Sequence, residues 1–155
     1  MGKNFYISDT HFGHQNIIKL DNRPFKNCDQ MENVLVMNWN NNVTSEDAKI
    51  VGLLHDVLED TETTREDLLE MGYSEFTVST IEILTRGAKE DYDDYIERII
   101  KSNNKIALEV KLADLKHNMD ISRIKNPTPK DLERVEKRYR KAFIKISNKL
   151  EELKW

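Results

Sequence analysis

Ile50-Val51-Gly52-Leu53-Leu54-His55-Asp56-Val57-Leu58-Glu59-Asp60 decides how this chain is read. Ile50, Val51, Leu54, Val57 and Leu58 recur at helical spacing, which predicts one helix with a buried stripe. On such a helix His55 and Glu59 fall one turn apart beside the stripe, as do Asp56 and Asp60. Imidazole next to carboxylate suits a borderline-to-hard divalent cation such as Mn2+, Fe2+ or Zn2+. The plain alternative is a solvated acidic helix end carrying one histidine, an arrangement the helix dipole mildly disfavours.

A second polar stripe follows in Lys111-Leu112-Ala113-Asp114-Leu115-Lys116-His117-Asn118. Lys111, Asp114 and Asn118 stand at i, i+3 and i+7, so a helix aims a cation, a carboxylate and an amide from one face. In an Ala/Leu/Val background that face wants either water or a polar partner. His117 lies about 100° from Asn118 around the helix and reads as a helix-surface histidine.

Helix signals fill most of the chain. Thr44 and Ser45, followed by Glu46 and Asp47, supply a cap oxygen and first-turn negative charge for the His-Asp helix. Thr63-x-x-Glu66 has capping-box spacing for a short helix through Leu68 and Leu69 that stops at Gly72. Ser74 precedes a helix carrying Phe76, Val78, Ile81 and Leu84, which stops near Gly87. Tyr92, Tyr95, Ile96, Ile99 and Ile100 give the stripe of another. Asn103-Asn104 breaks the chain before the Lys111 helix. Thr128 is a good cap, and Pro129 suits the first helical position. The last helix shows Leu132, Val135, Tyr139, Ala142, Ile146, Leu150 and Leu153, a stripe able to dock on the domain or zip to another chain, docking being the favoured reading.

From about Ser45 to the C-terminus these motifs resemble an HD-domain metal-dependent phosphohydrolase, and within that superfamily the (p)ppGpp-hydrolase domains of the RelA/SpoT type. The resemblance rests on Gly52 through Thr61, on Leu84-Thr85-Arg86, on Tyr92-x-x-Tyr95-Ile96, and on Lys111-Leu112-Ala113-Asp114 followed by Asn118-Met119-Asp120. It implies His55, Asp56 and Asp114 as metal ligands, with Mn2+ as the expected cation. It implies Glu59 and Asp60 as the groups that orient or deprotonate the attacking water, and Arg86, Lys111 and Asn118 as nucleotide contacts. The family's earlier histidine, usually in a His-Pro pair on a preceding helix, has no counterpart here. No histidine occurs between Gln15 and Leu54.

The N-terminus carries a different resemblance. Lys3-Asn4-Phe5-Tyr6-Ile7-Ser8-Asp9-Thr10-His11-Phe12-Gly13-His14 is an apolar run ending in D-x-H, similar to the first block of a calcineurin-like metallophosphoesterase. The later blocks of that family are missing, so its binuclear site cannot form. Residues 1–44 therefore read as a truncated segment and not an independent domain, with Phe5-Tyr6-Ile7 as one short strand and helices from His14 to Leu20 and Asp29 to Trp39. His11 or His14 is the candidate to replace the absent imidazole, in the same chain or from a second copy.

Composition frames these motifs. At 155 residues the chain is long enough for one core. A net charge of −4 without a strongly basic block argues against long nucleic acid and leaves a small anionic nucleotide open. Cys28 stands alone, which fits a reducing cytoplasm. No apolar run approaches the roughly twenty residues needed to span a bilayer, and neither a secretory nor a myristoylation signal is expected.

The fold expected is all-α or mainly α: an HD-domain helical bundle over 45–155 with an N-terminal arm holding at most one short strand. Two functions follow. The first is a metal-dependent phosphohydrolase cutting the 3′-pyrophosphate of a guanosine tetra- or pentaphosphate. The second is a catalytically inactive HD-fold domain that binds a nucleotide or a protein partner, with homo-oligomerisation through the N-terminal arm or the C-terminal helix left open.

Overall fold

The computed structural model describes residues 45–124 and 126–153, together with Lys26, Asn27, Asp29, Gln30 and Asn33. The expected strand at Phe5-Tyr6-Ile7, both N-terminal histidines, and all but three residues of the expected Asp29 to Trp39 helix lie outside them. Among the described residues all regular structure is helical, so the all-α expectation holds.

The first helix, α1 (Glu46–Leu54), starts at Ser45, whose Oγ accepts from Ala48 N at 3.1 Å. One helix was expected to run on through Asp60, but it ends at Leu54. After a turn at His55 and Asp56 a single new turn, α2 (Val57–Asp60), begins. The cause is local. The His55 ring bonds back to Gly52 O, and the amides of Glu59 and Asp60 both close on Asp56 O, which restarts the ladder there. The expected i, i+4 pairing on one straight helix is therefore replaced by a bend.

Helix α3 (Arg65–Glu70) has its capping box one residue later than Thr63. Thr64 Oγ1 accepts from Asp67 N, and Asp67 Oδ2 accepts from Thr64 N, because Thr63 N is already taken by Thr61 Oγ1. Its far end is a Schellman turn: Tyr73 N reaches Leu68 O and Gly72 N reaches Leu69 O, with Gly72 at φ +92. Helix α4 (Glu75–Leu84) is capped by Ser74 and α5 (Tyr92–Lys101) by Asp91. Phe76, expected in the α4 stripe, is 51% exposed. Thr77 and Thr80 take the inward places instead, and Thr80 Oγ1 is satisfied by Phe76 O and Asn104 Nδ2.

Helix α6 (Lys105–Asn118) is the central element. Its Ala107, Leu108, Val110 and Leu115 pack among Ala48 and Val51 of α1, Val78 and Ile81 of α4, and the last helix. A helix packed from several sides has no wholly wet face, so His117, expected at the surface, is buried. Leu108 and Ile81 have no exposed surface; truncating either to Ala removes about 2–5 kcal/mol. Helix α7 (Pro129–Arg134) opens on a Thr128–Asp131 capping box with Pro129 in first place. The expected continuous C-terminal helix is then interrupted by a π-helical turn, Val135–Tyr139, before α8 (Arg140–Glu152). The extra residue in that turn rotates the stripe. Leu132 is left 44% exposed, while Ala142, Ile146 and Leu150 stay in the core. The C-terminal stripe thus docks on its own domain.

Candidate functional site

The bend after α1 sets the first part of the site. His55, only 4% exposed, donates from Nδ1 to Gly52 O at 2.7 Å, and its Nε2 faces Asp56 Oδ2 at 3.0 Å. Burial by itself lowers the imidazole pKa. The Asp56 charge and hydrogen bond, with Asp114 and Gly52 O, outweigh it and push His55 up to about 9. With Nδ1 committed to a carbonyl, Nε2 and the carboxylate are two acceptors that only a cation between them reconciles, whether proton or metal.

Helix α6 sets the second part. Asp114 is 5% exposed and fully occupied: Lys111 Nζ donates to Oδ2 at 2.7 Å and Asn118 Nδ2 to Oδ1 at 2.8 Å. The expected stripe therefore forms, but it closes on itself. Lys111 also lies 5.2 Å over the Tyr95 ring. Burial works against its charge, but Asp114 more than compensates, so the ammonium is held above its ordinary pKa.

Glu59 and Asp60 come from α2 and Arg86 from the segment after α4, whose backbone N donates to Glu59 Oε2 at 3.3 Å. Seven of the eight expected site residues, Asp56, Glu59, Asp60, Arg86, Lys111, Asp114 and Asn118, line one cleft of about 340 Å³. The eighth, His55, is packed beside Asp56. Tyr95, buried in the core, and Tyr92, packed against it, are the core aromatics the sequence favours, and both share the wall. Arg134, Arg138 and Tyr139 complete it, and sequence reasoning missed all three. The available signal was a pair of arginines four apart, Arg134 and Arg138, on the side of the last helix that the apolar stripe leaves unused.

The donor types fit a divalent cation at the His55–Asp56 pair once the cation displaces the Nε2 proton, since Nδ1 is held on Gly52 O and Nε2 and the carboxylate then both face the site as acceptors. The triad with Asp114 is not assembled in this arrangement. Among the described residues no three His, Cys, Asp or Glu side chains converge in a geometry to hold a metal, because Lys111 and Asn118 hold Asp114.

Fold and cleft define an all-helical domain with carboxylates and guanidinium groups facing one solvent-open site. Over 58 residues the chain is 52% identical to an uncharacterized protein of Methanocaldococcus jannaschii, a stretch covering 37% of this chain and 32% of that protein. The chain spans about a third of that relative's length. No family model matches. Among the described residues no helix is long and apolar enough to cross a membrane.

Proposed function

We propose that this chain is a metal-dependent nucleotide phosphohydrolase of the HD type, acting on a guanosine nucleotide of the (p)ppGpp kind. One observation carries the reading. Four carboxylates, Asp56, Glu59, Asp60 and Asp114, share one cleft with four cationic side chains, Arg86, Lys111, Arg134 and Arg138, and His55 is fixed beside Asp56. Such a mixed cleft suits an anionic phosphoester together with a cation.

His55, Asp56 and Asp114 would hold the cation, Mn2+ being the expected one. When bound, it supplies the charge that polarises a water and a phosphoryl oxygen. Glu59 and Asp60, adjacent on α2 and both facing the cleft, take the proton from the attacking water. The water oxygen bonds to phosphorus as the bond to the 3′-oxygen breaks; the departing nucleotide 3′-oxygen takes the proton that Glu59 or Asp60 accepted, and pyrophosphate carrying the water oxygen is released. Arg86, Lys111 and Asn118 bind and orient the nucleotide phosphates, which requires Lys111 to exchange part of its contact with Asp114 for a phosphate oxygen.

That same Lys111–Asp114 contact favours a second reading, a domain that binds nucleotide without cutting it. The deciding measurement is Mn2+-dependent release of pyrophosphate from ppGpp and its loss in Asp56→Ala. No release, with no metal retained after dialysis against Mn2+, selects the binding domain.

A further inference from the structure

The C-terminal end of α4 is finished by side chains of α5. Thr85 N closes the last turn on Ile81 O and Glu82 O, and the carbonyls of Ile83, Leu84 and Thr85 fall beyond the helical ladder. Two α5 side chains, one turn apart, take all three. Tyr95 Oη donates to Leu84 O, and Arg98 donates from Nη1 to Ile83 O and from Nη2 to Thr85 O, each at 2.9 Å. A cation at this end also suits the helix dipole.

Arg98 then reaches the segment that follows. Its Nε donates to Glu90 Oε1 at 2.7 Å and its Nη2 to Oε2 at 2.8 Å. The same Oε2 accepts from Gly87 N at 3.1 Å, and Glu90 N closes the turn on Gly87 O at 2.9 Å. One planar guanidinium therefore grips the segment from Ile83 to Glu90 at four acceptors. A fork of this kind fixes orientation as well as distance, because its donors lie in one rigid plane.

Arg86 is bracketed by these contacts. The peptide groups around it are all held: Thr85 O by Arg98, Gly87 N by Glu90, and Arg86 N by Glu59 Oε2 at 3.3 Å. Of residues 85–90 Arg86 is the one that lines the cleft, and neither Arg98 nor Glu90 lines it. The fork thus lies outside the cleft and grips the backbone that carries a cleft residue.

We propose that Arg98, locked to Glu90, is a positioning residue: it fixes the backbone around Arg86, so that the Arg86 guanidinium meets a phosphate from a preset place and Arg86 N stays on the Glu59 carboxylate. A segment ordered before binding does not lose that freedom on binding, which leaves more of the contact energy as affinity. The inference rests on Arg86 as a phosphate contact, and it holds whether or not the phosphoester is cut.

The test is a double-mutant cycle read by calorimetric titration of the full chain with inorganic pyrophosphate in EDTA. Arg86→Ala and Arg98→Ala are each expected to weaken binding about tenfold. Because Arg98 acts through Arg86, the double variant should fall within about twofold of Arg86→Ala, whereas independent losses would multiply. Arg98→Lys separates position from charge. It keeps a cation beside Glu90 but lacks the fork, so it should bind as weakly as Arg98→Ala. Arg65→Ala, which breaks the fork from Arg65 to Glu75 and Glu82, should leave the affinity unchanged.

Losses that multiply overturn the proposal, as do full affinity in a folded Arg98→Ala or Arg98→Lys chain, an equal loss in Arg65→Ala, and no binding of pyrophosphate by the unaltered chain. If Arg98→Ala loses its helical circular dichroism, Glu90→Gln carries the same cycle, and multiplying losses there overturn the proposal. A chain that shows the coupling but releases no pyrophosphate from ppGpp sinks the hydrolase reading alone. One that hydrolyses ppGpp while the two losses multiply sinks the positioning role alone.

Discussion

Lys111 Nζ lies 2.7 Å from Asp114 Oδ2, one turn along the same helix, with both side chains largely out of water. The pair balances charge at the centre of the cleft, and Asn118 satisfies the second carboxylate oxygen. Removing the cation alone leaves a buried carboxylate without compensation. Lys111→Met is therefore expected to cost about 3–5 kcal/mol in urea unfolding, and adding Asp114→Asn should recover most of it. A double variant as unstable as Lys111→Met would show that the pair is not coupled.

Metal binding gives the second prediction. A saturating divalent cation stabilises the native state by mass action, about 2.7 kcal/mol at a hundredfold excess over Kd. Mn2+ should therefore raise the melting temperature of the chain, and Asp56→Ala should abolish the rise. Equal melting with and without Mn2+ would remove the His55–Asp56 pair as a cation site.

Glu90 and Arg98 give a pH dependence. Arg98 donates from Nε and Nη2 to the Glu90 carboxylate, and from Nη1 and Nη2 to Ile83 O and Thr85 O, tying down the end of α4. The Arg98 hydrogen bonds, with Gly87 N and the Arg98 charge, outweigh burial and hold Glu90 down at about 2, below its ordinary 4.5. A carboxyl depressed by folding adds stability that is fully present above pH 4.5 and is lost as pH falls toward 2. Glu90→Gln should flatten the stability curve in that window when urea midpoints are compared at successive pH values. A curve as steep as that of the unaltered chain would contradict this account.

Tyr95 is 4% exposed, and its hydroxyl donates to Leu84 O at the end of α4. Tyr95→Phe keeps the ring and removes the donor, so it should cost about 1–2 kcal/mol, while Tyr95→Ala should cost about 3–5 kcal/mol. Thermal unfolding distinguishes the two. A Phe variant as damaging as the Ala variant would place the whole effect on the hydroxyl.

The sequence by itself determined the helical elements and most of their ends. Ser45 and Thr128 cap the helices they announce, Ser74 and the Asn103-Asn104 break stand just before α4 and α6, where Ser74 and Asn104 prove to be the caps, and Gly72 stops α3. Caps and stops act within one turn and need no distant partner. It also singled out Asp56, Glu59, Asp60, Arg86, Lys111, Asp114 and Asn118, which the fold gathers in one cleft. Helical spacing marked Asp56, Glu59, Asp60, Lys111, Asp114 and Asn118 as polar groups beside apolar stripes, whereas Arg86 was singled out only by the family resemblance.

Only the tertiary structure decided the rest. The bend at His55–Asp56 depends on a ring-to-carbonyl bond that periodicity does not encode. His117 is buried because α6 is packed from several sides, and Asp114 is held by Lys111 because both lie where water is scarce. Arg138 and Tyr139 reach the cleft beside Arg134 through a π turn, a one-residue change of helical phase that no residue type marks. Local hydrogen bonds fix where helices begin and end, whereas the faces they present, and the charges that meet between them, follow from how the whole set packs.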